Sequence, residues 1–182
     1  MSRISTPPTI DAAPAASQLL LAAVKKQLGV VPNLFRLVAN SPAALEGYVG
    51  MNSALSKGAL PAATRERIAL AVAEVNGCNY CLSAHTYLAK NVAKLDDAEI
   101  AANRSGASHD PKADAAVRFA VKVAVARGHV ADGDLSAVRL AGYDEAQIIE
   151  IVQHVALNTW TNYINEVAKT DIDFPVVAAR AA

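Results

Sequence analysis

The chain has 182 residues, 53% of them hydrophobic, and its 17 basic and 17 acidic residues leave a formal net charge of zero. That length suits one domain with a sizeable core, and the apolar content excludes a disordered chain. Balanced charge gives no electrostatic footprint for nucleic acid or an anionic membrane, and charges interrupt every apolar run before it reaches membrane-spanning length.

Met1–Pro14 is a proline-rich arm, read as extended, and it lacks the charged start and apolar stretch of a signal peptide. The chain therefore reads as cytoplasmic. Ala15–Leu28 has helical apolar spacing, and Gly29 ends it. Val31-Pro32-Asn33 breaks the chain before a short helix through Val38. Ser41-Pro42, a cap followed by proline at the first helical position, opens a helix to about Lys57. After a break from Gly58 to Pro61, Ala62–Asn76 carries a wide apolar stripe of Ile68, Leu70, Ala71, Val72 and Val75. Asn76-Gly77 is a stop signal, and Cys78–Asn91 resumes as a second helix.

Asp96 with Glu99 three residues on is a capping-box variant. Gly106 to Asp110 is a loop, and Asp110-Pro111 caps a helix over Lys112–Arg127. A short helix follows over Asp134–Leu140, ended by Ala141-Gly142. Asp144 with Gln147 caps the last long helix, to about Lys169. The tail, Asp171–Ala182, contains Pro175 and is expected to pack on a neighbour or fray. Val121–Val125 and Ile148–Val152 are β-branched but sit inside helical patterns, so the expected class is all-α. Residues 15–182 form one helical domain in this reading, with room for two intimate halves split near Gly106–Asp110.

Chemistry-capable residues converge at one place. Cys78 and Cys81 are the only cysteines and form a C-x-x-C, with His85 four residues further on. On a helix, Cys81 and His85 meet on one face. The glycine break puts Cys78 near a helix start, where exposed N–H groups and the helix dipole favour a thiolate. His85 can take a proton from Cys81 or return it to a leaving group. Spacing alone does not decide whether Glu66 or Glu74 orients that histidine. Two cysteines, a histidine and a glutamate are also legitimate zinc ligands. However, no second C-x-x-C or paired histidine motif accompanies them. The reading carried forward needs no metal or flavin in this chain.

At these residues the sequence resembles the alkylhydroperoxidase D-like (AhpD-like) branch of the carboxymuconolactone decarboxylase superfamily. The family pattern is a glutamate, eleven residues, then C-x-x-C-x-x-x-H. Here it reads Glu66-x11-Cys78-Asn79-Tyr80-Cys81-x3-His85. Val31-Pro32-Asn33-Leu34-Phe35 and the run from Arg65 to Gly77 are also similar to the family, most closely to its peroxidase-related members. The resemblance implies an all-helical fold, homo-oligomers (trimers or hexamers) and thiol-dependent reduction of hydroperoxides. It implies Glu66 as the proton-relay acid, Cys81 as the thiol that attacks and Cys78 as the one that resolves. Glu74 and Tyr80 become supporting candidates. Tyr80 is also a departure, because the best-studied members carry histidine at that position, and tyrosine is no base near neutral pH.

The expected partners are a hydroperoxide and an external dithiol or redox protein. Tyr80, Leu82, Trp160 and Tyr163 are candidates to receive an alkyl tail. The alternative is a redox-sensing or interaction protein whose disulfide switches assembly with little turnover.

Overall fold

The computed structural model describes residues 2–180, so Met1 of the arm and Ala181 and Ala182 of the tail lie outside the described residues. Its regular elements are all helices: α1 (Ala15–Leu28), α2 (Asn33–Val38), α3 (Pro42–Ser56), α4 (Ala62–Val75), α5 (Asn79–Asn91), α6 (Asp97–Arg104), α7 (Pro111–Ala126), α8 (Asp132–Leu140) and α9 (Glu145–Ala168). The class is all-α, as the periodicity predicts.

The ends follow local chemistry. Gly29 closes α1 in the left-handed region at φ 78°. Ser41 accepts from the Ala44 N–H ahead of Pro42, and Asp110 accepts from the Ala113 N–H ahead of Pro111. At α9 the box is reciprocal, with Asp144 accepting from the Gln147 N–H and Gln147 from the Asp144 N–H. At α6 only half of the expected box forms. Asp96 accepts from the Glu99 N–H, but the Glu99 side chain turns inward to Arg67, Asn103 and Ser108. The eighth helix starts at Asp132, two residues before the expected Asp134. Asp134 lies within its first turn and reaches back to accept from the Ala131 N–H.

The central helix is α4, which packs on α5, α6, α7 and α9. Leu70 and Ala73 join an apolar cluster with Leu21, Val24, Phe35, Leu45, Leu82 and both cysteines. Ile68 and Val72 join a second cluster with Phe119, Val123, Val138, Ile151 and Val155. The C-x-x-C is therefore built into a core rather than onto a surface loop.

The tail departs from expectation: residues 171–180 fold back over the chain's own α5. Asp173 accepts from the Asn33 N–H at 2.8 Å and from the Tyr80 hydroxyl at 2.9 Å. The Val177 N–H donates to Ser83 Oγ, the Ala179 N–H to Asn79 Oδ1 and the Arg180 N–H to Glu74. The Phe174 ring meets Tyr80 edge-on at 5.9 Å. Among its described residues the N-terminal arm has no regular element. It docks on α2, with Arg36 donating to the carbonyls of Pro7 and Pro8.

Candidate active site

The turn between α4 and α5 is set by three consecutive residues. Gly77 takes φ 66°, which a side chain would strain. Its N–H donates to the Glu74 carbonyl and the Cys78 N–H to the Ala73 carbonyl, the paired closure that ends a helix on a left-handed glycine. Cys78 then becomes the cap of α5, its Sγ accepting from the Cys81 N–H at 3.2 Å. One helix ends and the next begins within Asn76-Gly77-Cys78, so the first sulfur sits at the positive end of the α5 dipole.

Cys78 and Cys81 are joined as a disulfide, with Cα atoms 5.3 Å apart. Both are buried, at 0% and 3% exposure. One turn past Cys81, His85 Nδ1 lies 2.9 Å from Glu66 Oε2, linking α5 to α4. These two side chains keep 23% and 22% of their surface, so the pair is reachable while the sulfurs are covered. With the carboxylate accepting at Nδ1, Nε2 is the ring nitrogen free to exchange a proton.

Glu66 and Glu74, equivalent by spacing, have different surroundings. The Glu74 carboxylate accepts from Arg104 Nε at 2.6 Å and from the Arg180 N–H at 2.7 Å. Burial opposes its charge, but those donors hold its carboxyl below the usual range. It anchors the tail, and none of its hydrogen bonds goes to His85. Tyr80 is likewise engaged. Its hydroxyl donates to Asp173 and accepts from the Leu34 N–H, and burial followed by the Asp173 charge keeps the phenol protonated far above its usual range.

The last helix supplies what sequence reasoning missed. Its inner face buries His154, Asn158, Thr161, Asn162 and Asn165 among apolar neighbours. Asn165 Nδ2 donates to Cys81 Sγ at 3.4 Å. Burial, then the Arg65 charge, pull His154 down to about 4 against the opposing pull of Glu150 and Glu66, so this ring is neutral at pH 7. The signal was available: polar residues at steps of three and four in an otherwise apolar helix mark a buried polar row.

Beside Glu66 stands Tyr48 of α3, its phenol raised above the usual range by burial and then by the Glu66 charge. Its ring stacks at a tilt on Phe35 and Trp160, at 5.1 and 5.4 Å. With Ala44, Gly47, Met51, Ala156, Leu157 and Trp160 it lines a largely apolar cavity of about 360 Å3. Of the four side chains expected to receive an alkyl tail, Trp160 alone lines this cavity. Tyr80 and Leu82 are enclosed in the core, and Tyr163 is 60% exposed. Among the described residues no group of three or more His, Cys, Asp or Glu is arranged to hold a metal ion. No helix among them is long and apolar enough to cross a membrane.

The carboxymuconolactone decarboxylase family model matches residues 42–126, which include every element of the Glu66-to-His85 motif. A peroxidase-related protein with an alkylhydroperoxidase AhpD core from Ralstonia eutropha JMP134 is 27% identical. It superposes with a TM-score of 0.83, covering 94% of this chain and 92% of that one. A peroxidase-related protein from Silicibacter sp. TM1040 has a TM-score of 0.81 at 23% identity, covering 93% and 91%. The debrominase Bmp8 in complex with 2,3,4-tribromopyrrole shares the fold, with a TM-score of 0.75 at 20% identity over 92% and 90% of the two chains. Among curated proteins none matches the sequence. An all-helical fold shared along nearly its whole length, and the five-part motif inside the matched segment, make the chain similar to the AhpD-like proteins of the carboxymuconolactone decarboxylase superfamily.

Proposed function

We propose that the protein is a thiol-dependent peroxidase that reduces organic hydroperoxides through a Cys78–Cys81 dithiol/disulfide cycle. The observation that carries this reading is the Glu66–His85 hydrogen bond one helical turn from Cys81. It puts an oriented base next to a sulfur already paired with a second sulfur. The likeness to peroxidase-related proteins supports it.

In the reduced enzyme His85, oriented by Glu66, takes the proton of Cys81. The thiolate attacks one oxygen of the peroxide, the O–O bond breaks, and the leaving alkoxide receives the proton as an alcohol. Cys81 is left as a sulfenic acid, oxidised by two electrons. Cys78 attacks that sulfur, the S–O bond breaks, water leaves and the disulfide forms. An external dithiol or redox protein then returns two electrons by exchange. The apolar cavity at Tyr48 and Trp160 suits an uncharged, carbon-rich peroxide.

A second reading is a redox switch, favoured by one observation. Both residues between the cysteines are tied to the tail, Asn79 to Ala179 and Tyr80 to Asp173. A change at the disulfide is thereby felt by residues 171–180.

The deciding experiment follows hydroperoxide consumption with a dithiol reductant in wild type, Cys81→Ser and Cys78→Ser. Turnover should vanish in both variants, with a trappable sulfenic acid surviving only in Cys78→Ser. Wild-type protein that forms its disulfide once and does not cycle would sink the peroxidase and leave the switch.

A further inference from the structure

Cys81 has a polar neighbour that the Glu66-to-His85 motif does not contain. Asn165 is 2% exposed in the last turns of α9, and its Nδ2 lies 3.4 Å from Cys81 Sγ. A disulfide sulfur can only accept, so the amide nitrogen rather than the oxygen faces it. The other end of the same carboxamide is unengaged, since buried Oδ1 has no hydrogen-bond partner among the described residues. A buried acceptor without a donor is costly, and residues that keep one commonly serve a ligand or an intermediate.

We propose that Asn165 is a catalytic residue whose carboxamide holds Cys81 in successive states, Nδ2–H donating to the thiolate and Oδ1 accepting from the hydroxyl of the sulfenic acid. This rests on the thiol-cycle reading above and adds a division of labour to it. Thiolate formation puts negative charge on a sulfur that is almost wholly buried, where an N–H donor aimed at it has its greatest effect. Oxidation then converts that sulfur into an S–OH group, which needs an acceptor for its proton. A carboxamide offers both from one rigid plane, and it is neutral, so it moves no proton itself. Proton transfer stays with Glu66 and His85.

The titratable and charged groups on the elements around Cys81 include His85 and Tyr80 on α5, Arg65, Glu66 and Glu74 on α4, Glu150 and His154 on α9, Tyr48 on α3 and Asp173 in the tail. Replacing Asn165 by leucine adds no charge and leaves all of these residues in place, so a shift in Cys81 ionisation in Asn165→Leu reports the amide, and Asn165→Asp adds the effect of a carboxyl at the same place.

The test uses the full chain with Cys78→Ser, so that Cys81 is the single thiol. Alkylation of Cys81 by iodoacetamide is followed against pH with Asn165, Asn165→Asp and Asn165→Leu. Loss of a donor to a charged sulfur should raise the alkylation midpoint by about one pH unit or more. Asn165→Asp, which keeps the shape, should raise it further than Asn165→Leu. After hydroperoxide treatment, the dimedone-reactive sulfenic acid should decay faster in Asn165→Leu, and Asn165→Asp, which keeps an acceptor oxygen for the S–OH proton, should preserve it.

If the variants fail to fold, the protein with native Asn165 still decides. Its Asn165 side-chain amide resonance should titrate with the same midpoint as Cys81 alkylation. An unmoved midpoint in folded variants, or a flat amide resonance, overturns the proposal. These titrations need no peroxide. Coupled titration in a protein without peroxidase turnover would keep Asn165 as the thiolate's partner and discard only the peroxidase.

Discussion

Adjacent residues of α4 feed two carboxylate clusters of opposite character. Glu66 meets His85 and remains partly open to solvent. Arg67, the next residue, reaches Glu99, where the carboxylate accepts from Arg67 Nε at 2.6 Å, Ser108 Oγ at 2.5 Å, Asn103 Nδ2 at 3.0 Å and the His109 N–H at 2.8 Å. Burial opposes the Glu99 charge, yet those donors together hold its carboxyl down at about 2. A carboxylate surrounded in this way has no capacity left for a proton, and it fastens α4 to α6 and the loop before α7. Glu66 has one such partner and can still respond when the histidine's charge changes. The difference separates a group that holds the fold from one that moves a proton in the proposed cycle, and Glu74 falls with the first kind.

The strongest way to break that distinction is a pair of matched substitutions. Glu66→Gln should leave the thermal midpoint nearly unchanged and cut peroxidase kcat by about a hundredfold, the size of a lost acid–base contribution. Glu99→Gln should do the reverse. It strands the buried Arg67 guanidinium and should cost about 3 kcal/mol in denaturant unfolding, with turnover per folded molecule retained. If Glu99→Gln removes activity at full stability, or Glu66→Gln mainly destabilises, the assignment is inverted.

The pH dependence of stability sharpens the same contrast. His154 binds a proton near pH 6.5 when unfolded but only near 4 when folded. The unfolded state therefore gains protons first as pH falls, and stability should decline from about pH 6.5 towards 4, by about 3 kcal/mol. Glu99, with an ordinary value of 4.5 and a folded value of about 2, adds a second decline as pH falls from 4.5 to 2. Denaturant unfolding of His154→Gln at pH 7, 5.5 and 4.5 should show the first decline removed. A slope equal to wild type over that window would mean that the ring titrates normally in the fold.

How legible these features were depends on how far apart the interacting residues are. Gly29, Ser41-Pro42, Asp110-Pro111 and Asp144 with Gln147 act within a few residues, and the helices they bound stand where the sequence puts them. Glu66 and Glu74 could not be told apart from spacing, because Arg104 and Arg180, which occupy Glu74, lie 30 and 106 residues away. Asn165 was missed for the same reason, 84 residues from Cys81. The tail carries no periodicity, and its partners include Asn33, Glu74, Asn79, Tyr80, Ser83 and Arg104, all distant in the chain, so nothing local announces where it lies.

The smallest effect tests the distinction inside the C-x-x-C itself. Tyr80 lies between the two cysteines in the chain, and position alone would make it part of the chemistry. Its hydroxyl is nevertheless fully engaged, donating to Asp173 and accepting from the Leu34 N–H, so by the argument from Glu99 it belongs to the fold. Tyr80→Phe keeps the ring against Phe174 but strands the Leu34 N–H and frees one Asp173 oxygen. It should cost about 1 kcal/mol and speed proteolysis between residues 171 and 180. Peroxidase kcat should change less than twofold, because no proton of the cycle passes through the phenol. A large fall in kcat at unchanged stability would mean that a saturated group can still serve the reaction, and the inference that Glu74 and Glu99 are structural would lose its basis.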